Sequence, residues 1–368
     1  MCLILIYFVS HLYKTRFESL QLYTFVPSII MMLVAILLPL FSSLFNGNYL
    51  NTTSEGEYRS FCKALLLMPI ISSCIFTINK KNILANIFLI SIFCLSLIFI
   101  FRYLVLGEVR DYDLRPLLNI KNGDPNILST YFTAAIPFTV YFYRTNVNRS
   151  RKLGYLLMCL MFVACTFLNQ SRMGLITLAI SMLLILLLLP WKINKSALLV
   201  FFFITSVAVL YLFGAKILIR FSHMTDTSNQ DRMKTLLAGL YTFMKAPLFG
   251  VGWNNSSAYF YKFAGYPAFQ SEISPYEVHD TALKILSELG IFGLTYYVGV
   301  ISIIARKLVL YARFDKELSR LMLIALSSLT LNSLTISIGY KDIYILFLIV
   351  IFTLANTNNG NVLKLVEN

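Results

Sequence analysis

Residues 83–106 read ILANIFLISIFCLSLIFIFRYLVL, twenty-four positions with one formal charge, Arg102. A chain segment of about 20 apolar residues spans the hydrocarbon core of a bilayer as a helix. The run is continuous and does not alternate with period 2, which favours a membrane helix over a strand of a membrane barrel. The same pattern recurs along the chain. Candidate spans are 21–45, 61–78, 83–106, 125–144, 152–169, 173–191, 196–219, 280–305, 319–337 and 340–355, with a short apolar start at 1–12. The composition of the 368 residues agrees. Hydrophobic residues make up 58% and charged residues 13%, and the mean hydropathy is +0.73. Soluble domains run at roughly 45–50% apolar and about 25% charged, so a soluble enzyme, a disordered chain and a secreted disulfide scaffold are excluded. The fold class expected is all-α, a polytopic transmembrane bundle of about 11–12 spans.

Charge placement orients the bundle. The net charge is +14, from 31 Lys and Arg against 17 Asp and Glu. Loops 13–20, 79–82, 144–152, 191–195 and 306–320 and the tail 356–368 carry sixteen Lys and Arg; loops 46–60, 107–124, 169–172 and 338–342 carry six. Basic residues accumulate on the cytoplasmic side, so the first set is expected inside, with the C-terminus. The N-terminus then falls outside. An odd count and a half-length first stretch suggest that a segment precedes it or that the start was chosen late. The opening MCLILIYFVSHLY shows neither a basic n-region nor a small-residue cleavage site. Cys2, Cys62, Cys74, Cys94, Cys159 and Cys165 fall in or beside apolar runs without a CxxC spacing and read as small hydrophobes.

The organisation expected is residues 1–219 as N-terminal transmembrane helices, 220–279 as one large loop on the outer side, and 280–368 as C-terminal transmembrane helices, all one membrane domain. Within the loop, Arg232–Lys245 places Leu236, Leu237, Leu240, Phe243 and Met244 at helical spacing. This predicts an amphipathic helix that lies on the membrane surface or caps the bundle. Pro247, Gly250 and Gly252 then break it. A loop of this size is usually functional or disordered, and its aromatics (Trp253, Tyr259, Phe260, Tyr261) argue against disorder.

Several residues invite chemistry. Arg172 sits in a very short outer connection between two spans. It reads equally as a snorkelling anchor and as an anion ligand, since guanidinium matches phosphate bidentately. Arg232, taken alone, is better read as a solvated charge beside Asp231; Arg220 and Lys234 have weaker claims. His279 precedes a long helix that Asp280 or Thr281 could cap. It is either an ordinary interfacial histidine or a base that accepts a proton from a hydroxyl. His11 and His223 are the two others. Asp111 and Asp113 form an Asp-Tyr-Asp that could hold a divalent cation against a diphosphate, though a solvated acidic loop explains it more simply. No HExxH, GxSxG or P-loop pattern is present.

Three segments together resemble the O-antigen ligase/O-antigen polymerase family of bacterial membrane glycan transferases. They are NQSRMGLITLAISMLLILLL (169–188), DRMKTLLAGLYTFMKAPLFGVGWNN (231–255) and VHDTALKILSELGIFGL (278–294). They follow the family's Ser-Arg segment opening a leucine-rich helix, its Arg-containing helix before a Pro-Leu-x-Gly-x-Gly turn, and its His-Asn…Glu-x-Gly-x-x-Gly-Leu segment. The likeness covers about residues 125–305. Asp280 stands where the family commonly has asparagine, and the expected eleven spans compare with about twelve.

The resemblance implies a GT-C-like membrane glycosyltransferase of the bacterial inner membrane, with its active site facing the periplasm. Its donor would be an undecaprenyl-diphosphate-linked glycan, its acceptor lipid A–core or another lipid-linked glycan, and its surroundings membrane lipids. No cofactor, metal or nucleic acid is implied. By the resemblance Arg172 and Arg232 hold the donor diphosphate, and His279 activates the acceptor. The compact outer loop and the three-residue pattern incline the reading to ligase over polymerase. A lipid-linked oligosaccharide flippase is the alternative of another class. Such transporters carry ionisable groups near the bilayer midplane, whereas here the candidates lie at the outer edge.

Overall fold

The computed structural model of the chain describes residues 22–45, 52–73, 78–107, 125–190, 226–256, 278–337 and 341–355. Ten helices stand among them: α1 (Leu22–Phe45), α2 (Thr52–Ser73), α3 (Ile78–Leu104), α4 (Pro125–Thr145), α5 (Arg149–Leu168), α6 (Arg172–Leu188), α7 (Asp226–Lys245), α8 (Thr281–Tyr311), α9 (Lys316–Ser333) and α10 (Asp342–Leu354). Nine of them match the apolar runs read from the sequence, and α7 matches the amphipathic segment. The runs 1–12 and 196–219 lie outside the described residues, as do Asp111, Asp113, Arg220 and His223. No strand occurs among the described residues. Segments of α1 (Ser28–Phe45), α3 (Asn82–Leu104), all of α5 and all of α8 are long and apolar enough to cross a membrane, and α6 and α10 are shorter apolar helices. The chain is an all-α, polytopic membrane protein.

Two compact units interleave along the sequence. One comprises residues 1–87, 229–311 and 333–368; the other comprises 88–228 and 312–332. In the second, α4 packs against α5 and α6, and its residues Ile127–Thr139 are buried. Asn148 caps α5, its side-chain oxygen accepting from the Ser150 N–H at 2.9 Å. The connection 169–171 is as tight as the sequence indicated. Gln170 takes a left-handed φ of 53°, and Ser171 caps α6 by accepting from the Gly174 N–H. Polar side chains stitch these helices. Asn169 donates to Ser129 at 2.7 Å, Ser181 and Ser328 lie 2.6 Å apart, and Asn332 donates to the Thr133 hydroxyl at 3.4 Å. Small residues that allow close backbone approach, with polar groups bonding across helices, are how membrane helices associate where lipid is as apolar as leucine.

At the opposite end of this unit, Arg144 pairs with Glu317 and donates to the Pro190 carbonyl at 2.8 Å. Arg320 donates to the Leu188 carbonyl at 2.5 Å. Two arginines thus satisfy carbonyls left over at the end of α6. Asp315 caps α9 through the Leu318 N–H at 2.8 Å and accepts from the Tyr141 hydroxyl. These groups belong to loops that the charge count assigns to one side, so the count and the packing agree within this unit. Cys62, Cys94, Cys159 and Cys165 are free thiols, as read.

A Cβ placed on Gly174 would come 2.5 Å from the Ser129 Cβ. Gly174→Ala is therefore expected to push α6 off α4 and lower stability by about 1–3 kcal/mol, measured as a lower thermal midpoint in detergent. An unchanged midpoint would show that the two helices do not approach so closely.

Candidate active site: a broken helix and the turn that docks on it

Straight, the thirty-one residues of α8 would measure about 46 Å, against a hydrocarbon thickness of about 30 Å. The helix does not run straight. Gly290 adopts φ 66°, ψ −163°, a backbone state that only glycine enters readily. The portion after it, residues 291–311, is about 31 Å long and suffices to span. The chain turns tightly at the break: a Cβ on Gly293 would meet the Leu289 Cβ at 2.3 Å.

A break strands the last carbonyls of the first half and the first N–H groups of the second, and in an apolar setting these must find partners. The turn after α7 supplies them. The N–H groups of Val251 and Gly252 donate to the carbonyls of Ser287 (3.0 Å) and Glu288 (2.9 Å), and the Ile291 N–H donates to the Pro247 carbonyl at 2.8 Å. Ser42 of α1 closes the junction with its hydroxyl at the carbonyls of Phe249 and Glu288. The fit needs two glycines. A Cβ on Gly250 would lie 2.2 Å from the Glu288 carbonyl carbon, and one on Gly290 would lie 2.1 Å from the Leu248 oxygen.

The Glu288 carboxylate, fully buried, pins the rest of the turn. It accepts from the Asn254 N–H at 3.0 Å and the Ser256 hydroxyl at 2.8 Å. A buried carboxylate is tolerated when hydrogen bonds replace its hydration. Asn254 takes a left-handed φ of 52° to face it. Between these polar ties Trp253 is also fully buried, its ring 4.8 Å from Phe61 and 5.5 Å from Tyr58. Phe249 stacks on Phe292 at 5.1 Å.

This junction positions two of the three residues read from the sequence. His279 is exposed directly before α8. Asp280 is the cap, accepting from the Leu283 N–H at 2.7 Å, while the Thr281 hydroxyl ties to the Ile336 carbonyl at 2.5 Å. Helix α7 rests on the same segment, since a Cβ on Gly239 would touch Val278 at 3.0 Å and Leu283 at 3.2 Å. The buried face of α7 is Thr235, Ala238, Gly239 and Thr242. Arg232, exposed, lies three residues before Thr235 and seven before Gly239, on the helical row that continues this face. The row that rests on Val278 therefore leads to Arg232, and the residue after Val278 is His279. Arg172, half-buried, opens α6 in the other unit.

Of the two placements the sequence allowed for α7, the exposed apolar row fits the membrane-surface one. Leu236 and Phe243 are half-buried, but Leu237, Leu240 and Met244 are exposed and continue a row with Met233, Tyr241 and Leu248. Small residues and threonines face the protein because glycine and alanine allow close packing. The large apolar side chains point away, as in a helix lying against a membrane surface.

Sequence reading gave Glu288 no role, although it stood inside a quoted segment. An acid within a mostly apolar helix, two residues before a Gly-x-x-Gly, was the available signal. Gly290 as a helix breaker carried no local mark, because isolated glycines are common within membrane helices. Among the described residues no group of three or more His, Cys, Asp or Glu could hold a metal ion.

Fold and junction define a multi-pass helical membrane protein with a broken helix carrying its candidate catalytic segment. Residues 156–298 match the family model described as O-antigen ligase. The match begins within α5, takes in Arg172, Arg232 and His279, and ends past the break in α8. No curated protein matches the chain.

Placing a Cβ at Gly290 should undo the docking. In a Trp191→Phe background, which leaves Trp253 as the remaining tryptophan, Gly290→Ala is expected to red-shift the fluorescence as Trp253 meets water. Asp280→Asn, which keeps a capping oxygen, should leave emission unshifted and stability unchanged, while Asp280→Ala should cost about 1 kcal/mol. Blue emission retained in Gly290→Ala would contradict the described junction.

Proposed function

We propose that this protein transfers a glycan from undecaprenyl diphosphate to a sugar hydroxyl of an acceptor at the periplasmic face of the inner membrane, as an O-antigen ligase with lipid A–core as acceptor. The observation that supports it most is the packing of α7, at Gly239, on Val278, the residue before His279, in a stretch that matches the family model.

The chemistry runs as a displacement. The acceptor hydroxyl attacks the anomeric carbon and forms a new C–O bond, while the bond from that carbon to the diphosphate oxygen breaks and its electron pair leaves with the lipid diphosphate. His279 takes the hydroxyl proton; general-base help of this kind contributes typically 10²–10⁴-fold. Arg172 and Arg232 neutralise the charge that gathers on the departing diphosphate, and preorganised cations act most strongly where water is excluded. The donor already holds the energy of the bond, so neither nucleotide nor metal enters the scheme. One backside displacement inverts the anomeric centre.

In the purified enzyme with lipid-linked donor and core acceptor, His279→Ala is expected to lower turnover by roughly 10²–10⁴-fold with membrane protein level unchanged. Arg172→Ala and Arg232→Ala should lose product in the same way, and excess chelator should leave the rate as it was. In cells, deletion should remove long chains from lipid A–core while lipid-linked polymer accumulates. Full turnover in His279→Ala would remove the base, and a core capped by a single repeat unit would instead mean polymerase.

A further inference from the structure

Beside the junction, within the same compact unit, α1, α2, α8 and α10 enclose a groove of about 770 Å³ counted with its open side. Ala35, Leu38, Leu65, Val300 and Leu348 are among its walls. One end lies at Ile285 and Leu289; partway along, Tyr297 and Tyr344 meet through their hydroxyls at 2.7 Å. Toward the other end the wall residues are Ile304 and Phe352, and there the Lys307 Nζ lies 3.9 Å from the centroid of the Phe352 ring. Arg306, next in the chain, is exposed.

Two walls, α1 and α8, are membrane-spanning by length and composition, so the groove lies at hydrocarbon depth. A space so lined takes a hydrocarbon chain, since polar matter would find few partners there. The ammonium at one end adds a second requirement. A lysine at that depth is costly unless it reaches the interface or meets an anion. Lys307 stands four residues before the end of α8 at Tyr311, about 6 Å along the axis, within reach of the headgroups. Its contact with Phe352, a cation–π pair, holds the charge where the groove ends.

We propose that this groove binds one acyl chain of an anionic phospholipid from the leaflet at the C-terminal end of α8, with the lipid phosphate at Lys307. The site is separate from the proposed donor site. The groove runs along α8 from Ile285 and Leu289 to Ile304, and the lysine lies at the end away from the 247–252 turn. The proposal rests on the membrane placement of α1 and α8 and not on the transferase reading.

The test is native mass spectrometry of the purified, delipidated protein mixed with equal phosphatidylglycerol and phosphatidylethanolamine in detergent. One phosphatidylglycerol retained per chain is expected. Lys307→Gln should reduce its retention about five-fold, the factor that corresponds to the about 1 kcal/mol a single lysine contributes toward anionic lipid; Lys307→Arg should keep it. Val300→Trp, which fills the groove without touching the charge, should abolish retention while the thermal midpoint stays within a few degrees. Equal retention of phosphatidylethanolamine, indifference to both Lys307→Gln and Val300→Trp, or binding of an isoprenoid phosphate in preference to phosphatidylglycerol would overturn the proposal.

Discussion

Backbone hydrogen bonding across the break in α8 is the constraint from which the rest of the candidate site follows. A helix interrupted in an apolar setting leaves orphaned N–H and C=O groups, and each costs several kcal/mol if unmet. The turn 247–252 meets them with its own backbone, which ties the end of α7 to the middle of α8 through groups that every residue carries. Side chains then make the pairing specific. Gly250 and Gly290 let the two backbones touch, and Glu288 holds Asn254 and Ser256. Ser42 brings α1 into the same knot.

That knot has a consequence for chemistry. Because 281–289 is tied down at its C-terminal end by the turn and at its N-terminal end by Asp280 and Thr281, the residue before it is presented from a fixed support. His279 is exposed on that support, which the proposed role as base requires. Sites held by rigid elements keep their geometry better than sites on free loops. The α7 helix, docked on Val278, gives the Arg232 row the same anchorage. Its outward apolar row of Met233, Leu237, Leu240 and Met244 suits a surface that meets lipid, where a lipid-linked donor would arrive.

Much of the fold was legible because membrane helices obey a length rule and a charge rule that need no partner. The runs at 83–106 and 152–169 reappear as α3 and α5 with nearly the same bounds. The basic loops at 144–152 and 306–320 contribute to one cluster around Arg144, Glu317 and Arg320. What the sequence did not disclose depends on tertiary contact. Which face of α7 packs on the protein was left open, because hydrophobicity points outward when the outside is lipid. The break at Gly290 was invisible because periodicity continues through it; only the turn, forty residues upstream, makes a broken helix cheaper than a straight one. Glu288 was passed over for the same reason, its partners Asn254 and Ser256 lying 34 and 32 residues away. The three candidate residues became legible through the family resemblance, as ordered segments rather than as isolated charges.

Hydrogen–deuterium exchange of the reconstituted protein tests the docked break most directly. Peptides covering 247–252 and 287–292 should both exchange slowly in the wild type, and in Glu288→Ala both should speed up together, since each supplies the other's hydrogen bonds. Rapid exchange of 247–252 in the wild type, or a Glu288→Ala change confined to one of the two peptides, would contradict the account.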